Sequence, residues 1–181
     1  KTADGLASDS LTRHIMDVTR RGMDPNGDGD PSDGVDGWRL DVPNEVPMGF
    51  WRAWRRTVKA LNPDAYVVGE IWKRANKWLD GGSFDAVMNY PFADAVVGWV
   101  SGEVTPTEVD KRLAVLRLAY PEQATAVLQN LLAGHDTDRL VSMIANPGRG
   151  GYDRANSERS GSRYNGARPS VTPHTAQRRP H

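Results

Sequence analysis

The 181-residue sequence contains no cysteine, which excludes a disulfide framework, a Cys-ligated zinc site and a thiol nucleophile. Net charge is also missing: Lys+Arg and Asp+Glu both number 23, so the overall balance calls for neither nucleic acid nor an anionic membrane. No apolar run reaches the roughly 18 residues needed to span a bilayer, and Lys1 to Ser10 lack the apolar core of a secretory signal. Lys1 opens the chain in mid-pattern without an initiator Met, which predicts a fragment or a processed product and leaves cytoplasm, periplasm and exterior equally open. There remains a hydrophobic fraction of 38% with six Trp, ordinary for one soluble globular domain.

Leu11, Ile15 and Val18 recur at helical spacing and predict a short helix over 11–23, stopped near Gly22. Residues 24–34 hold too much Gly, Pro and Asp for regular structure and read as a surface loop. Strands are expected at 38–42, 65–69, 84–88 and 126–132. Between them Trp51, Trp54, Val58 and Leu61 form one helical stripe, ended by Asn62-Pro63. Thr105 caps a second helix, with Pro106 at its first position, Glu108 closing a capping box, and Val109, Leu113, Leu116 and Tyr120 on its apolar face until Pro121. Strands alternating with helices predict an α/β fold with a parallel sheet. From about Arg149 the chain carries seven Arg against Asp153 and Glu158 with many Ser, Gly and Pro. That tail, 149–181, reads as a disordered or irregular solvated loop or truncated end, ahead of a nucleic-acid contact.

Three acids end short apolar runs: Asp41 after Gly37-Trp38-Arg39-Leu40, Glu70 after Val67-Val68-Gly69, and Asp136 after Leu131-Leu132-Ala133-Gly134-His135. Strands of one parallel sheet would project all three at the carboxyl-end face, where α/β folds gather their sites. Arg39 shares a strand face with Asp41 and can hold it ionised, as a carboxylate nucleophile requires; a purely structural Arg–Asp pair is the alternative. Trp72, two residues beyond Glu70, offers an apolar neighbour that raises a carboxyl pKa and suits a general acid, against the alternative of a helix N-terminal Glu. His135-Asp136-Thr137-Asp138-Arg139 packs four ionisable residues into five positions, which reads as a site. Metal ligation by His135 with Asp136 is disfavoured, because adjacent strand residues point to opposite faces.

Asp24, Asn26, Asp28 and Gly29 match the opening of a calcium loop, Asp-x-Asn-x-Asp-Gly. Position twelve is Val35, where that motif needs a bidentate Glu, so a plain acidic loop is the first reading and a structural calcium site the second. Trp38, Trp72 and Tyr90 are candidates to stack on sugar rings, whereas the spacing of Trp51 and Trp54 assigns them to the core.

Together these segments resemble the α-amylase superfamily of glycoside hydrolases, especially its cyclomaltodextrinase and neopullulanase branch. Gly37-Trp38-Arg39-Leu40-Asp41-Val42-Pro43-Asn44-Glu45-Val46 looks like its nucleophile motif and Gly69-Glu70-Ile71-Trp72 its acid/base motif. Gly134-His135-Asp136-Thr137-Asp138-Arg139 is similar to the motif that supplies the third acid. Phe84 to Phe92 resembles the barrel strand between the last two. The resemblance runs from about Asp24 to Arg154 and implies a partial (β/α)8 TIM barrel, about strands 4 to 7, over 1–148. A whole barrel takes about 250 residues, and the family's earlier motif with Asn and His lies before the start of this chain.

The resemblance further implies a retaining hydrolase of α-glucans such as starch, maltodextrin or cyclomaltodextrin. Asp41 would be the nucleophile, Glu70 the acid/base and Asp136 the stabiliser of the distorted sugar. Arg39 and His135 would orient the nucleophile and bind hydroxyls, with Trp72 and Tyr90 at the substrate. No cofactor is required, although calcium is a familiar structural ion there. A transglycosylase, or an inactive fragment that only binds carbohydrate, is the rival reading. Neither nucleic acid nor membrane is expected as a partner, and open sheet edges predict self-association and low activity of this chain alone.

Overall fold

The structure is a computed structural model and describes residues 4–145. The expected tail at 149–181 therefore lies outside the described residues. Helix α1 (Asp9–Met23) starts two residues earlier than its apolar spacing suggests, because the Ser8 hydroxyl accepts the Leu11 N–H at 3.3 Å and caps the free first turn. Its buried stripe is Met16, Thr19 and Met23, whereas Leu11 and Val18 are about half exposed at 48% and 51%. The stripe is thus rotated from the one that the aliphatic residues alone predict. Thr19 is acceptable inside because its hydroxyl donates to Ile15 O and accepts the Trp54 indole N–H, each at 2.8 Å.

Strands β1 (Gly37–Leu40), β2 (Tyr66–Gly69) and β3 (Ala86–Val87) form a three-stranded parallel sheet in the order β1-β2-β3. The register sets Arg39 beside Val68 and Val68 beside Ala86, with Leu40, Gly69 and Val87 in the next row. Since side chains alternate across a strand, the two faces carry two different sets. Trp38, Leu40, Val67 and Val87 pack into the larger core with Met16, Met23, Trp51, Trp54 and Val58. Val68, Ala86 and Met88 pack into the smaller one with Tyr90, Ala93 and Met143. Arg39 shares that second face.

Helix α2 (Met48–Leu61) covers the larger core with Phe50, Trp51, Trp54 and Val58. Each buried indole has its partner, Trp51 donating to Pro43 O at 2.9 Å and Trp54 to Thr19, so the rings contribute apolar burial without an orphaned N–H. Trp38 meets Trp54 edge-on at 6.2 Å and donates to Met23 Sδ at 3.0 Å, which makes it a core residue and removes it from the sugar-stacking candidates.

Helix α3 (Tyr90–Val100) follows the strand expected at 84–88, in a stretch for which no helix is expected and whose first residues fall in the Phe84 to Phe92 segment that resembles a barrel strand. Its signal is Asn89, whose side chain accepts the Phe92 N–H at 3.2 Å, with Pro91 close behind in the first turn. Helix α4 (Pro106–Ala119) opens on Thr105 as expected, with the hydroxyl accepting Glu108 N–H at 3.2 Å. The Glu108 carboxylate, however, lies 3.0 Å from Arg112 along the helix.

The expected strand at 126–132 does not form. A short helix, α5 (Glu122–Ala126), takes its first residue, and the rest of the segment touches the sheet through one parallel bridge, Met88 to Gln129. The reason lies in its partner: β3 is two residues long before Asn89 turns into α3, so there is little ladder to extend. A last helix, α6 (Leu140–Ala145), places Met143 against the smaller core.

Candidate active site

Asp41 and Glu70 stand one step beyond the last paired row of β1 and β2, where Glu70 N–H still donates to Leu40 O at 3.0 Å. Both therefore leave the sheet at its carboxyl end on the face shared with Arg39. Gly69 fits the turn into Glu70 for a steric reason. A Cβ built on it would sit 2.7 Å from the Phe84 ring, so glycine leaves the room that this buried ring occupies.

One guanidinium joins the two acids. Arg39 Nη1 hydrogen-bonds Asp41 Oδ1, and its Nη2 lies 3.0 Å from Glu70 Oε1. Their surroundings are opposite: the Asp41 side chain is 74% exposed and that of Glu70 is 2% exposed. The hydrogen bond from Arg39 holds the Asp41 carboxyl below the usual carboxylate range, with weaker help from the Arg39 charge, a hydrogen bond to Glu70 and the charge of His135. Burial pulls the Arg39 pKa down, but the bond to Asp41 and the charges of Glu70 and Asp41 outweigh it and leave it raised.

Glu70 is held from several directions. Its Oε2 accepts the Val42 backbone N–H at 3.1 Å, and Oε1 accepts the Trp72 indole N–H at 3.3 Å and the Tyr90 hydroxyl at 3.5 Å. Trp72 therefore presents a donor to the carboxyl, where the sequence suggests only an apolar neighbour. Val42 reaches Glu70 because its backbone is left-handed, φ 40° and ψ 47°, a conformation costly for a β-branched residue and further opposed by the following Pro43. No sequence signal marks it. A non-glycine strained residue beside a candidate nucleophile is the mark of a site held by its surroundings.

The third acid arrives by the loop after the Gln129 bridge. Gly134 N–H donates to the Thr137 hydroxyl at 2.7 Å, closing a turn that carries His135 and Asp136. His135 Nε2 lies 3.2 Å from Asp136 Oδ2. The His135 charge acts on Asp41 and the Asp136 charge on Tyr90, so the loop lies within electrostatic reach of one of the other acids and of the Tyr90 hydroxyl.

The Asp24–Asp28 loop is apart from these residues and satisfies itself. Asp24 accepts the N–H groups of Gly27 and Gly29 at 2.8 and 2.9 Å, Asn26 that of Asp28 at 2.9 Å, and Asp28 that of Asp30 at 2.8 Å. Among the described residues no three His, Cys, Asp or Glu side chains are grouped to hold a metal. The loop keeps the Asp-x-Asn-x-Asp-Gly opening of the calcium motif and departs from it at Val35, where the motif needs a bidentate Glu. No described helix is long and apolar enough to cross a membrane.

Comparison with known proteins gives one answer at three levels. The family model for the alpha amylase catalytic domain matches residues 30–159. Neopullulanase 2 of Thermoactinomyces vulgaris is 48% identical over 133 residues, 73% of this chain and 21% of that protein. A cyclomaltodextrinase of a Bacillus species is 51% identical over 110 residues, 60% of this chain and 20% of its own length. Among solved structures, cyclic α-maltosyl-(1→6)-maltose hydrolase from Arthrobacter globiformis superposes with a TM-score of 0.70 at 33% identity, over 76% of this chain and 30% of that one. The chain spans about a fifth of the length of the curated relatives it matches.

Proposed function

This chain belongs to the α-amylase catalytic-domain family, and from that premise we propose that its acids carry out retaining hydrolysis of α-glucans such as maltodextrin or cyclomaltodextrin. The observation that carries the reading is the Arg39 bridge, which brings an exposed, ionised Asp41 and a buried Glu70 together at the carboxyl end of adjacent parallel strands. In this reading β1 to β3 are strands 4 to 6 of the (β/α)8 barrel, and the Gln129 segment lies in the place of strand 7.

The proposed chemistry has two steps. Glu70 gives its proton to the glycosidic oxygen as Asp41 attacks the anomeric carbon, so the bond to the leaving sugar breaks and a glycosyl ester forms. Glu70, now a carboxylate, takes a proton from water; the hydroxide portion attacks the same carbon, and Asp41 leaves as a carboxylate. Two inversions give net retention. The reacting carboxyl groups should close to about 5–5.5 Å around the sugar. Asp136 and His135 hold hydroxyls of the distorted ring. Every step uses side chains of the protein and none calls for a metal.

The test is covalent trapping with a fluorinated maltosyl fluoride, read by peptide mass spectrometry. It is run on the 181-residue chain and on a full-length cyclomaltodextrinase whose matching segment is exchanged for residues 30–159. A glycosyl adduct on Asp41, absent in Asp41→Asn, is expected. An adduct elsewhere, or maltodextrin turnover that survives Asp41→Asn, overturns the assignment.

A further inference from the structure

We propose that the side-chain pair Asn89–Asn130 is a positioning device that fixes the register in which the segment carrying Asp136 joins the sheet. The inference rests on Asp136 being the third acid. Met88 and Gln129 form a single parallel bridge, flanked by Asn89 N–H on Gln129 O at 2.9 Å and Gln129 N–H on Val87 O at 3.2 Å. Two backbone bonds specify a register weakly. A slip of one residue would turn the side chains of the segment to the opposite face.

Side chains supply what the ladder lacks. Asn89 is 4% exposed, and both ends of its amide are committed. Its Oδ1 accepts the Phe92 N–H at 3.2 Å, so its Nδ2 is the donor that meets Asn130 Oδ1 at 2.8 Å. One buried amide thus caps α3 and holds the next segment against β3. A slip would carry Asn130 away and leave the Asn89 N–H unpaired inside the protein, which is the costly outcome for a buried donor. Upstream of the bridge the Tyr66 hydroxyl donates to Val127 O at 2.7 Å, so the near end of the segment is tied to the start of β2. The end that leads to the acid is left to Asn89. Beyond Asn130, Leu131 packs on the smaller core and the Gly134–Thr137 turn presents His135 and Asp136, so an error of register at Gln129 would pass along the chain to the acid. A reacting centre tolerates little misplacement.

Residue-resolved hydrogen exchange on the 181-residue chain tests the contact without turnover. Asn130→Leu removes the acceptor and leaves the Asn89 cap on α3 in place, whereas Asn130→Asp keeps an acceptor oxygen. The bonded amides of Gln129 and Gly134 should exchange about tenfold faster in Asn130→Leu and at the wild-type rate in Asn130→Asp. Those of Tyr66 and Glu70, bonded within the sheet to Asp36 and Leu40, should not change in either. Unaltered exchange at Gln129 and Gly134 in Asn130→Leu overturns the proposal, and so does equal acceleration at Tyr66 and Glu70, which would reduce the contact to general packing. Turnover gives the second reading, in the cyclomaltodextrinase that carries residues 30–159. Asn130→Leu should lower kcat on maltodextrin about tenfold with KM changed less than about twofold, because the third acid acts on the ring as distorted in the transition state. Asn130→Asp should stay near the parent. A change confined to KM, or equal losses in the two variants, overturns the proposal. Failure of the underlying reading looks different, since Asp136→Asn would then keep its kcat while the exchange result stood.

Discussion

Arg39 Nη2 stands 3.0 Å from Glu70 Oε1 while Nη1 of the same guanidinium holds Asp41. One rigid fork therefore sets the separation of two acids that come from different strands. A lysine has the charge but not the fork.

Arg39→Lys should fold and yet lose about a hundredfold in turnover, because a point charge cannot fix both carboxylates and small misplacements are costly at a reacting centre. The pH profile supplies the sign. Asp41 is held below its ordinary range chiefly by Arg39, and as the proposed nucleophile it must be ionised, so activity is expected above the depressed value and lost as pH falls through it. Arg39→Gln should move that acid limb upward. Kinetics across the acid range check this, and an unmoved limb would separate Arg39 from Asp41.

Asp85 governs stability at the other end of the sheet. Its carboxylate meets Arg55 at 2.6 Å and Lys59 at 3.1 Å and accepts the Val67 N–H at 2.9 Å, tying α2 to β2. Burial works to raise its pKa, but the bonds from Arg55, Val67 and Lys59 outweigh it and leave the group depressed. Its stabilisation is therefore present above the unfolded value and lost as pH falls through the folded one. Asp85→Asn should cost on the order of 3 kcal/mol at neutral pH, and the deficit should shrink in acid. Urea melts at several pH values measure it, and a deficit that does not depend on pH would refute the linkage.

The Asp24–Asp28 loop should ignore calcium, since Asp24, Asn26 and Asp28 already accept the loop's own N–H groups. Thermal midpoints with millimolar calcium and with chelator should coincide. A rise of several degrees with calcium would restore the loop as a structural ion site.

Self-association is expected of the chain as it stands. Among the described residues β1 pairs with β2 alone, and Leu118 and Val141 are 88% and 74% exposed; open parallel edges beside apolar surface favour association. Sedimentation velocity should show size rising with concentration and maltodextrin hydrolysis should be weak. A stable monomer with turnover near the enzyme median of about 10 per second would contradict this.

The sequence by itself determined the parallel βα order, the capped helix start at Thr105, the helix stop at Asn62-Pro63 and the placing of Asp41 and Glu70 at strand ends, because apolar periodicity, caps and short motifs are local signals. It could not assign the buried stripe of α1, where Thr19 is compensated by a bond to Trp54 thirty-five residues away. Nor could it foresee that 126–132 would make a single bridge, since that depended on how soon β3 gave way to Asn89 and α3. At the site, Arg39 and Asp41 share a face by strand alternation alone. That Val42 would turn left-handed to reach Glu70, and that Trp72 and Tyr90 would close on each other, was decided by tertiary structure. Those contacts join residues far apart along the chain, and only the parallel register of β1, β2 and β3 makes them neighbours.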